Sequence, residues 1–151
     1  MTLSDQLNTP DDRTYITALM ERVQRRATRM VIQIRHRPYS ERLALLDLPS
    51  LYYRRKRGDM IRVFQVLHSI VNLDPSVFFE RDTNTRTRGH PFKLKKPTAT
   101  SRVRRNAFGI RVINDWNSLP ASVVCAPSIG AFKARLDKHW HVYRFTIPDT
   151  D

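Results

Sequence analysis

Ten Lys and Arg residues stand between Arg81 and Arg111 (Arg81, Arg86, Arg88, Lys93, Lys95, Lys96, Arg102, Arg104, Arg105 and Arg111) against Asp82 alone, so this stretch carries +9 of the chain's net +13. So one-sided an excess repels itself unless a polyanion or distant carboxylates offset it, and the chemistry it suits is contact with phosphates. Only Phe92 and Phe108 stand in it as candidates for stacking on bases, so phosphate contact without base readout is expected. A second cluster, Arg22, Arg25, Arg26 and Arg29, falls within about a third of the circumference of a helix. It reads equally as further phosphate contacts or as a solvated face.

Catalytic and metal chemistry find no comparable footing. Four scattered glycines leave no loop to cradle a phosphate. Asp11 and Asp12 lie in a polar leader and read as helix caps, while His139 and His141, two apart at a helix end, point to different faces. No Ser or Cys has a His base at a defensible spacing. A single cysteine, Cys125, excludes an internal disulfide and reads as a small apolar residue. No catalytic residue, metal or cofactor is therefore expected. No apolar run approaches a bilayer span and no signal peptide opens the chain, so the expected location is intracellular, nuclear or cytoplasmic, with no membrane partner.

The elements that must position these residues follow from periodicity. With 151 residues, 40% of them hydrophobic, the chain can bury one core. A leader over 1–12 should be flexible. A helix is expected from Arg13 to Ile34, with Ile16, Leu19, Met20, Val23, Ala27, Met30, Val31 and Ile34 turned inward and the arginines outward. A short helix over Tyr39 to Leu46 should stop at Leu48-Pro49, and Ser50 should cap a second long helix running to Val71. In that helix Lys56 falls on the apolar side and Gly58 weakens the middle. Val77, Phe78 and Phe79 should tuck one turn into the core.

Within the basic segment, Phe92-Lys93-Leu94-Lys95 and Arg102-Val103-Arg104 alternate, which predicts a two-stranded ribbon. Phe108, Val112, Trp116 and Leu119 share one face of a helix that Pro120 ends, with the Trp116 indole N–H satisfied by Asn114 or Asp115. Ser128 should cap a last helix facing inward through Ile129, Phe132, Leu136, Trp140 and Tyr143, with a loose tail over 146–151. The expectation is a mainly α fold: one small helical domain over 13–145, a short β-ribbon within 81–111, and disordered termini.

Five blocks also carry a resemblance: VQRRATRM from Val23, RLALLDLPSLYYRRKRGDMIRVFQVLHSIVNLDPSVFF from Arg42, TRGHPFKLKKP from Thr87, RRNAFGIRVINDWNSLP from Arg104 and APSIGAFKARLDKHW from Ala126. In this order they resemble the region downstream of the polymerase core in LINE-type (non-LTR) retrotransposon reverse transcriptases. The resemblance spans roughly Ile16 to Trp140 and implies binding of RNA or DNA beside a reverse-transcriptase core. It implies no polymerase activity here: the family's aromatic-x-Asp-Asp turn and upstream Asp, which hold two metals, have no counterpart in the chain. On this reading Met1 need not be a true start. A protein-interaction module docked on the polymerase core, a non-functional remnant, and an enzyme with a hidden constellation are the alternatives.

Overall fold

A computed structural model describes residues 12–84, 86, 88–97 and 108–147. They are mainly helical: α1 (Asp12–Arg29), α2 (Tyr39–Leu45), α3 (Leu51–Leu67), α4 (Pro75–Phe78), α5 (Phe108–Arg111), α6 (Ile113–Ser118), α7 (Ala121–Val124) and α8 (Ile129–His139), then a 3-10 turn over His141–Tyr143. Internal contacts group the chain into two compact units, Met1–Arg55 with Val142–Asp151, and Lys56–His141. Apart from Asp12, the leader expected over 1–12 lies outside the described residues, as does 148–151.

The first unit corrects the expected orientation of α1. The stripe meant for a core faces solvent: Ile16 is 53% exposed, Met20 54% and Val23 70%. Glu21 and Thr28 are buried instead. The buried donors of the unit explain this inversion, because each unpaired one would cost about 1–3 kcal/mol. Glu21 accepts the Tyr39 hydroxyl at 2.6 Å and the Tyr52 N–H, in the first turn of α3, at 3.1 Å. Burial, then the hydrogen bond to Glu21, push the Tyr39 hydroxyl well above its ordinary pKa. Arg42, buried, donates to Thr28 Oγ1 (3.1 Å) and to the carbonyls of Arg37 (2.6 Å) and Arg25 (3.2 Å). Its cation thus sits in the last turns of α1, where the helix dipole favours it.

α1 ends at Arg29, short of Ile34, where the β-branched Val31, Ile32 and Ile34 begin. Asp47, at φ 52°, ends α2 by letting the Leu48 N–H reach the Leu43 carbonyl (2.9 Å). Ser50 caps α3 as expected, accepting the Tyr53 N–H at 3.1 Å, and donates to the Thr146 carbonyl at 2.6 Å. Thr146, placed by the sequence at the start of a loose tail, is held by that bond.

The second unit holds most of the buried apolar side chains. Met60, Val63, Phe64 and Val66 of α3 are buried, as are Val112, Ile113, Trp116, Leu119, Phe132 and Leu136. α3 ends at Leu67 rather than Val71, because Ser69 takes φ 55° and the Ile70 N–H bonds back to Gln65 O (2.9 Å). Ion pairs tie it outward: Lys56 to Asp115 (3.2 Å), Arg57 to Asp137, and Asp59 to Arg111 (2.8 Å).

Only Phe79 of the expected Val77–Phe79 turn is buried. The helix expected through Trp116 is divided into α5 and α6 at Val112. Ser128 caps α8 by accepting the Ala131 N–H at 3.1 Å, but Tyr143 lies past its end and is exposed. Cys125 is exposed rather than packed. Among the described residues there is no β-strand, so the expected ribbon is corrected: Phe92–Lys95 makes one antiparallel bridge, between Leu94 and Arg81. Its expected partner, Arg102–Arg104, lies outside the described residues.

Candidate nucleic-acid interface

The described part of the basic segment runs along the second unit, and three side chains hold its backbone in place. His90 is buried, with Nε2 3.0 Å from the Trp116 carbonyl and Nδ1 accepting the Phe92 N–H at 3.1 Å. The proton therefore sits on Nε2, which donates to Trp116. Burial holds the His90 pKa below its ordinary value. The Trp116 indole N–H donates to the Phe92 carbonyl at 3.0 Å, not to Asn114 or Asp115. Asn114 is exposed and Asp115 pairs with Lys56.

Asn117 completes the clamp. Its Nδ2 donates to the Leu94 carbonyl and its Oδ1 accepts the Leu94 N–H, both at 2.8 Å. A side-chain amide thereby does what a residue of a paired strand would do. On the other side of the segment the Asp82 N–H donates to Lys93 O (2.9 Å) and the Lys95 N–H to Glu80 O (2.8 Å). The alternation read from the sequence holds for Leu94, buried, and Lys95, exposed, but not for Phe92 and Lys93, which are both half-buried. What the pattern missed was the partner: Asn117 and the 80–82 backbone stand where a second strand was expected.

With the backbone fixed, the cations separate by what they already touch. Arg111 makes a bidentate pair with Asp59 (2.8 and 3.2 Å), both side chains under 20% exposed, so it belongs to the scaffold. The Arg81 guanidinium lies 4.7 Å over the Phe92 ring and donates to the Pro91 carbonyl at 3.0 Å. Lys95 meets Glu80 at 3.1 Å, but that pair is 61% and 72% exposed, a surface contact of about 0–1 kcal/mol that a phosphate can replace. Lys93 is half-buried, its stem against Gly89, whose φ of +149° suits glycine alone. Arg86, Arg88 and Lys96 are exposed. Arg102, Arg104 and Arg105 lie outside the described residues.

The α1 cluster belongs to the first unit. Arg22, Arg26 and Arg29 are exposed there, whereas Arg25 is half-buried with its guanidinium 4.8 Å over the Tyr39 ring. Sequence reasoning misses His90 and reads Asn117 as a turn former. The only signal for either is position, His90 between Gly89 and Pro91, and Asn117 beside the tryptophan.

An open hollow of about 610 Å³ is lined by Leu67, Asp74, Pro75, Ser76, Phe79, Glu80 and Arg81, and its acids are engaged in capping and pairing. Hydrogen bonds from the Ser76 hydroxyl and N–H lower the Asp74 pKa. Among the described residues, no three His, Cys, Asp or Glu are grouped to hold a metal ion, and no helix is long and apolar enough to cross a membrane. Compared with family models, curated proteins and solved structures, the chain matches none.

Proposed function

We propose that the chain is a non-catalytic nucleic-acid-binding piece of a LINE-type reverse transcriptase, which contacts RNA or DNA phosphates through the basic segment between Arg81 and Arg111. The observation that carries this reading is the clamp. His90, Trp116 and Asn117 hold the backbone of residues 90–94 by side-chain hydrogen bonds, and the exposed Arg86, Arg88, Lys95 and Lys96 flank it. Preset cations lose less conformational entropy on meeting a phosphate than cations on a free chain. The block resemblance, and the absence from the sequence of the family's Asp-Asp turn, support the same assignment without activity. A reverse-transcriptase core supplied by another chain is a partner the resemblance implies.

Fluorescence anisotropy of labelled single-stranded RNA and duplex DNA across a KCl series tests it. Affinity should fall steeply with salt, with little sequence preference. Replacing Arg86, Arg88, Lys93, Lys95 and Lys96 by Gln should lower the log–log slope by roughly 0.7 to 0.9 for each phosphate that is no longer neutralised. The four α1 arginines changed to Gln should cost less. Binding by the segment variant as tight as that of the parent at low salt refutes the reading.

A further inference from the structure

We infer that the outer face of α1 is a docking site for an amphipathic helix of another protein whose apolar stripe is bordered by carboxylates. The inference stands apart from the Arg81–Arg111 segment that carries the nucleic-acid reading, and rests on the apolar stripe of α1 together with Arg22, Arg26 and Arg29. Ile16, Leu19, Met20 and Val23, at i, i+3, i+4 and i+7, form one exposed stripe on α1. The opposite side of the same helix is engaged by polar contacts, Glu21 with Tyr39 and Tyr52, Gln24 with the Pro49 carbonyl, and Thr28 with Arg42. The first unit correspondingly buries few apolar side chains among its described residues: Tyr39, Leu43 and Tyr53. An apolar stripe facing water over so small a core is what a helix-in-groove partner would cover.

Charge identifies the occupant. Along one border of the stripe run the exposed Arg22, Arg26 and Arg29, at i, i+4 and i+7. Between Arg13 and Met30 the only carboxylate is Glu21, which is buried and already accepts two hydrogen bonds. Between Arg13 and Met30, therefore, no free carboxylate offsets these cations beside the apolar surface, and carboxylates next to a partner's apolar residues would pair with them as they are partly desolvated. A second copy offers no such charge: an antiparallel α1 pair sets arginine border against arginine border, and a parallel pair has no acid to meet them. An anionic bilayer fits less well, because an interfacial helix has its basic polar face free to lie along the headgroups. Here the border that holds Thr17 and Gln24 is engaged within the protein, through bonds to Arg55 and Pro49.

The test uses the full chain and two designed helical peptides of about 20 residues, with identical Leu/Ala stripes, one bordered by Glu and the other by Lys. In fluorescence anisotropy the Glu-bordered peptide should bind at least about tenfold tighter than the Lys-bordered one, and Val23→Glu should weaken it at least about tenfold. Val23 is exposed, so the fold is kept, which far-UV circular dichroism checks. The double variant Arg22→Glu, Arg26→Glu should reverse the preference between the peptides. Equal binding of the two peptides, or binding indifferent to both variants, overturns the inference. A sedimenting dimer dispersed by Val23→Glu overturns it in favour of a second copy, and binding to phosphatidylserine vesicles lost in Val23→Glu overturns it in favour of a membrane surface.

Discussion

Replacing Trp116 by Ala should come close to unfolding the second unit. The indole is fully buried, packed against Phe132 (centroids 6.0 Å apart) and edge-on to His90 (5.9 Å, 82°). Truncating a core Trp to Ala costs about 3–5 kcal/mol, because transfer energy and a residual cavity add. The Phe92 carbonyl also loses its donor, but Phe92 is half-buried and water can replace the bond, so this adds at most about 1 kcal/mol. A loss of about 4 kcal/mol stands against a typical total of about 5–15. Trp116→Phe keeps most of the volume and loses the N–H, for which about 1–2 kcal/mol is expected.

Urea unfolding at 25 °C, followed by far-UV circular dichroism and by fluorescence of the remaining Trp140, measures both variants. Trp140 lies in the same unit and reports on it directly. Coincidence of the two probes decides whether one free energy describes the transition. A loss below about 1 kcal/mol for Trp116→Ala, within the range of surface substitutions, refutes the reasoning. So does a Phe variant as unstable as the Ala variant, which would put the energy in the hydrogen bond rather than in packing.

Two glycines should respond oppositely to alanine. Gly58 lies in exposed helix with open space around a new Cβ, so Gly58→Ala should gain about 0.5–1 kcal/mol, whereas a Cβ on Gly109 would sit 2.6 Å from the Phe78 carbonyl oxygen and Gly109→Ala should lower the melting temperature. Melting curves showing the same sign for both would count against the close approach of α5 to Phe78. His90 gives a pH dependence: its folded pKa lies below the ordinary 6.5, so its contribution is full above pH 6.5 and is lost as pH falls from there toward the folded value. The urea midpoint should therefore drop as pH falls below about 6.5, and His90→Gln should flatten that drop. A parent and variant with parallel profiles would remove His90 as its source.

Helix existence and capping were legible in the sequence wherever a local signal decided them. Ser50 and Ser128 cap α3 and α8 as their positions suggested, and Leu94 turns inward as the alternation around it required. Orientation was not legible where a distant polar demand outweighed a local apolar pattern. Periodicity places Ile16, Leu19, Met20 and Val23 on one face but is silent on whether that face meets a core. The buried Arg42 and the Tyr39 hydroxyl of α2 and the Tyr52 N–H of α3 all need acceptors, and Glu21 and Thr28 lie on the opposite side of α1 to supply them. The same kind of demand misled the reading of the basic segment. Strand partners are backbone by habit, and no pattern in one sequence announces that an asparagine side chain will take the role for Leu94.

The ion pairs of the second unit decide how a salt series on this protein is to be interpreted. High salt weakens phosphate contacts through counterion release, and it would equally weaken the scaffold if the scaffold depended on exposed pairs. Arg111 and Asp59 are mostly shielded from solvent and joined by two hydrogen bonds, so screening reaches them least. Lys56–Asp115 and Arg57–Asp137 are more open, at a third or so of side-chain exposure, but each spans long sequence separations that the apolar core of Phe64, Trp116 and Phe132 also joins. Lys95–Glu80 is the pair that salt releases first, and it lies in the segment proposed to bind. Releasing it frees a lysine for phosphate while leaving the Leu94 clamp intact, since Asn117 holds Leu94 by bonds that carry no net charge. A fall in polyanion binding with rising KCl, at unchanged circular dichroism, therefore reports the interface and not the fold.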